Sequence, residues 1–227
     1  MGEISSSLIA ERHAVLLARL RAAAERNGHD PARLRIVAVT KTHPVGLVLA
    51  ARAAGLHVLG ESRIQEAEPK IAAARDMEWH LIGRLQSNKA RRAVRGFDVI
   101  HSVDTAELLA RIDELAAEEG RATRVLVQVN VSGEAAKAGV EPAALGDLRA
   151  PEHVSLAGLM TIAPMDADER EARTVFATLR HLRDELEQRL GRALPELSMG
   201  MSADAEAAAA EGATLVRIGT ALFGPRS

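Results

Sequence analysis

The chain has no cysteine and no tyrosine, and aromatic residues fill only 2% of its 227 positions. Without cysteine it can form no disulfide, offer no thiolate to a metal and use no thiol nucleophile, which fits a cytoplasmic setting. Without tyrosine, no phenol is available as an acid or base. So few aromatics leave little for base stacking, and the charges nearly cancel, with 29 Lys+Arg against 31 Asp+Glu. Nucleic acid is therefore not an expected partner. No apolar run approaches the ~20 residues that span a bilayer. The opening Met1-Gly2-Glu3-Ile4-Ser5-Ser6-Ser7 lacks the basic and apolar pattern of a secretory signal, so no membrane role is expected either.

What is present is a regular alternation. A helix is expected over 7–26, with Leu8, Val15, Leu16 and Leu20 on its apolar side and Asn27-Gly28 as its stop. Strand-like segments follow at 36–40, 57–60, 79–82, 99–102, 125–131, 154–161, 197–199 and 214–218. Helical stretches lie between them, near 45–54, 64–74, 89–94, 105–119, 142–147, 168–190 and 203–211. Eight strands alternating with helices at this spacing predict one (β/α)8 barrel, a TIM barrel with an extra N-terminal helix, over residues 1–227. An open doubly wound sheet is the competitor, but its Gly-x-Gly-x-x-Gly fingerprint is missing. No Gly- or Ser-rich linker divides the chain.

One lysine stands out. Ile36-Val37-Ala38-Val39 reads as a strand covered on both faces, and Thr40-Lys41-Thr42-His43-Pro44 ends it. A lysine at the carboxyl end of a parallel strand would enter the crevice where such folds bind ligands, and burial there would make its amine a nucleophile toward carbonyls. The plainer reading is an ion pair with a nearby carboxylate. The exits of strands seven and eight, Met199-Gly200-Met201-Ser202 and Gly219-Thr220, carry the small residues and hydroxyls of a phosphate site. Ser202 could instead merely cap the following helix. A Schiff-base lysine beside a phosphate site fits either a phosphosugar or pyridoxal 5′-phosphate (PLP). Arg217 falls near the place of a pyridine nitrogen, which it would keep unprotonated; its other reading is an interior ion pair with Glu61.

Other polar features have plainer readings. Lys89-Ala90-Arg91-Arg92-Ala93-Val94-Arg95 reads as a helix surface, and Trp79-His80 as strand packing. The acidic loop 163–170 reads as a solvated approach to an N-cap at Asp168. The histidines have no ligand spacing with a carboxylate, so no metal is expected.

The motifs Ala38-Val39-Thr40-Lys41-Thr42-His43-Pro44, Gly60-Glu61-Ser62-Arg63-Ile64-Gln65-Glu66, His80-Leu81-Ile82-Gly83-Arg84-Leu85-Gln86-Ser87-Asn88-Lys89 and Val216-Arg217-Ile218-Gly219-Thr220-Ala221-Leu222-Phe223-Gly224 resemble the PLP homeostasis protein family. That family is in turn similar to the N-terminal barrel of alanine racemases, and the resemblance runs from Arg35 to Gly224. It implies a fold-type III PLP barrel in which Lys41 carries PLP as a Schiff base. It also implies that Arg217 faces the pyridine nitrogen, and that Ser202, Gly219, Thr220 and the backbone around Met201 hold the phosphate. Ser62 stands where the family usually has asparagine near the cofactor, a shorter donor. Lys137 matches a family lysine and reads either as a second amine for PLP or as a solvent-facing loop residue.

The resemblance further implies a protein of intracellular vitamin B6 and amino-acid homeostasis, with apo-enzymes as candidate recipients of PLP. Alanine racemases use a tyrosine from a carboxyl-terminal β domain as their second base. This sequence has no tyrosine and stops just after the barrel, so a non-catalytic carrier is expected. A monomer is expected because no exposed apolar stripe is evident on the outer helices. A PLP-dependent amino-acid racemase or lyase using other bases is the alternative, and a Schiff-base aldolase a more distant one.

Overall fold

In the computed structural model, which describes residues 4–134 and 138–225, eight parallel strands close into a ring in chain order. They are β1 (Arg35–Val39), β2 (Val58–Glu61), β3 (Glu78–Leu81), β4 (Val99–Val103), β5 (Arg124–Gln128), β6 (Ser155–Met160), β7 (Glu196–Met201) and β8 (Leu215–Ile218). The ring closes where β8 pairs with β1, setting Arg35 beside Leu215 and Val37 beside Arg217. Around it run α1 (Ser6–Arg26), α2 (Val45–Ala53), α3 (Ile64–Ala73), α4 (Ala90–Gly96), α5 (Ala106–Glu119), α6 (Glu169–Leu190), α7 (Ala205–Ala210) and α8 (Thr220–Phe223). The barrel and its added N-terminal helix are as expected.

Two apolar cores follow from strand alternation. Outward-facing residues such as Ile36, Leu59, Trp79 and Ile100 pack beneath the helices in the larger core. Val37, Val99, Leu126, Ala157, Met160 and Leu215, all from strands, form a smaller one inside the ring. Helix ends use ordinary chemistry. The Asp168 carboxylate accepts from the Glu171 amide and Glu171 returns the bond, a full capping box for α6. Asn27 ends α1 as the sequence suggests.

Several details depart from expectation. In α1 the buried face is Ile9, Leu16, Leu20, Ala23 and Ala24, while Leu8 and Val15 are exposed. The crossover between β5 and β6 holds a 3-10 turn, Pro142–Asp147, in place of an α-helix. Six residues opening on proline and containing Gly146 are too few to stabilise i→i+4 bonding. β5 stops at Gln128, three residues early, because Val129 instead bridges Val140 across the loop. β1 stops at Val39, so Lys41 lies in a turn and not on the strand.

Candidate functional site

That turn is braced on both sides of Lys41. The Thr40 amide still bonds Gly60 O, after which Thr42 takes a left-handed φ of 68°, costly for a β-branched residue. Lys70, buried in α3, donates to Thr40 O at 2.8 Å and to Glu61 Oε1 at 2.6 Å. Glu66 accepts from Lys70 and from the Thr42 amide. Glu61 Oε1 also takes the Thr40 hydroxyl at 2.6 Å. Burial pushes the Glu61 carboxyl up, against the hydrogen bonds from Lys70 and Thr40. Burial acts the same way on Glu66, yet its bonds from Lys70 and Thr42 hold it below the usual range. Lys70 was not among the sequence-derived candidates. Its i,i+4 spacing from Glu66 is the signal that could have found it.

Lys41 and Ser62 line one cleft of about 400 Å³ with Gly83, Arg84, Asn130 and Ile162. Gly83 lets two loops touch: a Cβ there would sit 2.1 Å from the Ser62 carbonyl oxygen. A second cavity of about 540 Å³ shares Ile162 and reaches Met201 and Asp204. Lys137 lies outside the described residues.

Arg217 is 5% exposed and, among the described residues, forms no ion pair. The interior pairing with Glu61 is not found: Glu61 follows outward-facing Leu59 by two residues and meets Lys70 of α3, whereas Arg217 lies in register with inward-facing Val37. The guanidinium donates to Ser198 Oγ at 2.6 Å and to Thr161 O at 2.9 Å, which uses two of its five N–H groups. Burial lowers it to about 10, opposed only by the Asp204 carboxylate.

β7 and β8 are neighbours, with Met201 beside Arg217, so their exits adjoin. Ser202 and Thr220 are exposed there, and Gly219 lies against Val39, two residues from Lys41. The amides of Thr220 and Ala221 open α8 without a helix carbonyl to bond. Ser202 is not a helix cap; Asp204 holds that position at α7. The Asp204 carboxylate also accepts from the Met201 amide at 2.6 Å, so that amide points into its own turn.

His80 and His101 are fully buried inside the ring and bond each other at 2.8 Å. His101 reaches Ser198 at 2.8 Å, and His80 reaches Glu78 at 2.7 Å. The basic surface of α4 is neutralised by carboxylates. Arg91 pairs with Glu118 and Glu119, Arg92 with Glu68, and Arg95 with Glu119. Trp79 packs in the core with its Nε1 on Ala74 O at 3.0 Å. Among the described residues, no helix is long and apolar enough to cross a membrane.

Residues 16–227 match the family model for the alanine racemase N-terminal domain. The chain is 43% identical to the pyridoxal phosphate homeostasis protein of Aquifex aeolicus (strain VF5), over 95% of this chain and 97% of that one. It is 45% identical to the protein of that name from Pseudomonas aeruginosa, over 97% and 96%. Among solved structures, PipY of Synechococcus elongatus PCC7942 with PLP bound superposes with a TM-score of 0.82 at 42% identity, covering 95% of this chain and 100% of that one. Alanine racemase of Clostridium difficile 630 gives 0.73 at 15% identity, covering 92% of this chain and 56% of that one, a likeness of fold.

Proposed function

The chain belongs to the pyridoxal phosphate homeostasis protein family, and on that premise we propose that it binds PLP at the carboxyl face of its barrel. There it keeps and supplies the cofactor, serving vitamin B6 and amino-acid balance without catalytic turnover. One observation carries the site: a buried guanidinium that forms no ion pair among the described residues, beside loops that present a lysine and an array of hydroxyls and amides. A buried cation is costly unless something accepts from it. A pyridine nitrogen and a phosphate supply what the side chains leave open.

When bound, PLP supplies an aldehyde that condenses reversibly with a primary amine. Lys41 is that amine, and the brace of Lys70, Glu61 and Glu66 limits where its turn can move. Arg217 can only donate, so it holds the ring nitrogen as an acceptor and leaves it unprotonated, which makes a weak electron sink. Ser202 and Thr220 offer hydroxyls to the phosphate, and Gly219 lets the backbone approach. Met201 contributes its amide once Asp204 releases it. Ser62, sharing a cleft with Lys41, is the polar neighbour of the cofactor ring. The absence of tyrosine supports the non-catalytic reading, since removal and return of a proton on opposite faces requires two placed bases. Residues 1–227 act as one monomeric PLP-binding domain in the cytoplasm, with PLP-requiring apo-enzymes as recipients.

Incubation with PLP followed by borohydride should give a yellow protein, then a pyridoxyl adduct on the peptide carrying Lys41. A protein that stays colourless, or an adduct confined to other lysines, refutes the site. Transfer of bound PLP to an apo-enzyme faster than spontaneous release supports the carrier. Rapid racemisation of alanine would support the enzymatic alternative instead.

A further inference from the structure

The interior of the barrel carries a continuous line of hydrogen bonds from its closed end to Arg217. At the closed end Glu78 Oε1 accepts from Arg124 at 2.8 Å and contacts Arg35 at 3.6 Å, and Arg35 reaches Glu196 at 2.7 Å. From Glu78 the line runs through His80, His101 and Ser198 to the guanidinium. These residues come from β3, β4, β7 and β8, which no local sequence pattern brings together.

The proton positions follow from the two ends. The carboxylate of Glu78 can only accept, so the Nε2 of His80 carries a proton. A neutral His80 then accepts at Nδ1, so His101 donates from its Nε2 and accepts at its own Nδ1. Ser198 must donate to that Nδ1, which turns its lone pairs toward Arg217. Arg217 can only donate, and its bond to Ser198 Oγ completes the line with no donor facing a donor. Reversal would require a protonated Glu78 and leave the Ser198 proton without an acceptor in the line. Burial disfavours a charge on either imidazole; Arg124 and Arg35 add to this at both and Arg217 at His101, against the pull of Glu78 on His80.

We propose that Ser198, His101 and His80 are positioning residues for Arg217, keeping it aimed as a donor at the cofactor's ring nitrogen, with the proton order set by Glu78 at the opposite end of the barrel. The part concerning the ring nitrogen rests on the PLP reading above, whereas the proton order does not.

Two measurements test the two parts separately. In PLP-free protein labelled with ¹⁵N-histidine, imidazole ¹⁵N–¹H correlation spectra at about pH 7.5 should show both buried histidines as neutral Nε2–H tautomers. An Nδ1–H form or an imidazolium at either position overturns the proposal. This spectrum uses the unaltered protein, so it decides even if a variant fails to fold. In protein loaded with PLP labelled at its ring nitrogen, Ser198→Ala and Glu78→Gln should each move the pyridine ¹⁵N shift. Ser198→Ala should also weaken PLP binding by about tenfold. Variants that bind PLP with an unchanged shift and affinity overturn the positioning role. A wild-type protein that takes up no PLP overturns the cofactor reading itself, and with it the aim at a ring nitrogen, while the histidine spectrum still decides the proton order.

Discussion

Lys70 puts an ammonium where lysine is seldom found, 2% exposed, and the reason is the company it keeps. It joins Glu61, Glu66 and the Thr40 carbonyl, so the turn carrying Lys41 depends on a charge two elements away. Truncating it in Lys70→Ala strands Glu61 as an unpaired buried carboxyl, at a cost of about 3–5 kcal/mol. Urea denaturation should record that loss, and the borohydride adduct at Lys41 should form more slowly in whatever folded protein remains. Lys41→Ala should keep the fold and lose the adduct entirely, with PLP affinity down by at least about tenfold, read by equilibrium dialysis. Residues of this kind divide in legibility. Lys41, Ser62 and Arg217 declare themselves by lying at or just past strand ends. The partners of Arg217 do not, because strand order around a ring and side-chain reach across it leave no periodic trace in the sequence. That is why Glu61 looked like a partner for Arg217 when it belongs to Lys70.

Among the elements, the strands and long helices were readable from apolar runs and caps, and the errors fall where the signal is short. Three or four apolar residues do not define which face of α1 is buried, and six residues around Pro142 do not make an α-helix. The unit of β7 and α7 shows how a loop geometry is enforced. Gly200 has a φ of 85°, and a Cβ there would lie 2.5 Å from the Ala208 Cβ, so α7 sits directly on the strand end. Gly200→Ala should therefore cost about 1–3 kcal/mol through left-handed strain and overpacking. It should also displace the turn at Met201 and Ser202 and weaken PLP binding, with circular dichroism showing helix content retained.

For the molecule as a whole, the buried line of polar groups makes stability depend on pH in two steps. His80 and His101 are held below their ordinary 6.5, chiefly by burial. The unfolded chain takes up protons that these rings refuse, so their contribution is complete above pH 6.5 and declines as pH falls below it. Glu78 is lowered from 4.5 to about 2, first by its hydrogen bond from His80, a neutral donor at neutral pH, and then by Arg124. This contribution is present above pH 4.5 and lost as pH falls through about 2. Urea midpoints measured across this range should fall first below pH 6.5 and again below 4.5. In Glu78→Gln the lower limb should flatten.

Closing the ring also sets an order of events as the chain emerges from a ribosome. The edge of β1 stays unpaired until β8, the last strand of the ring to be made, arrives beside it. Seven strands without the eighth present two open parallel edges, and the residues joining them are far apart in sequence. Completion of this barrel is thus a late, non-local step, and a nascent chain lacking β8 is the species most in need of shelter from its neighbours.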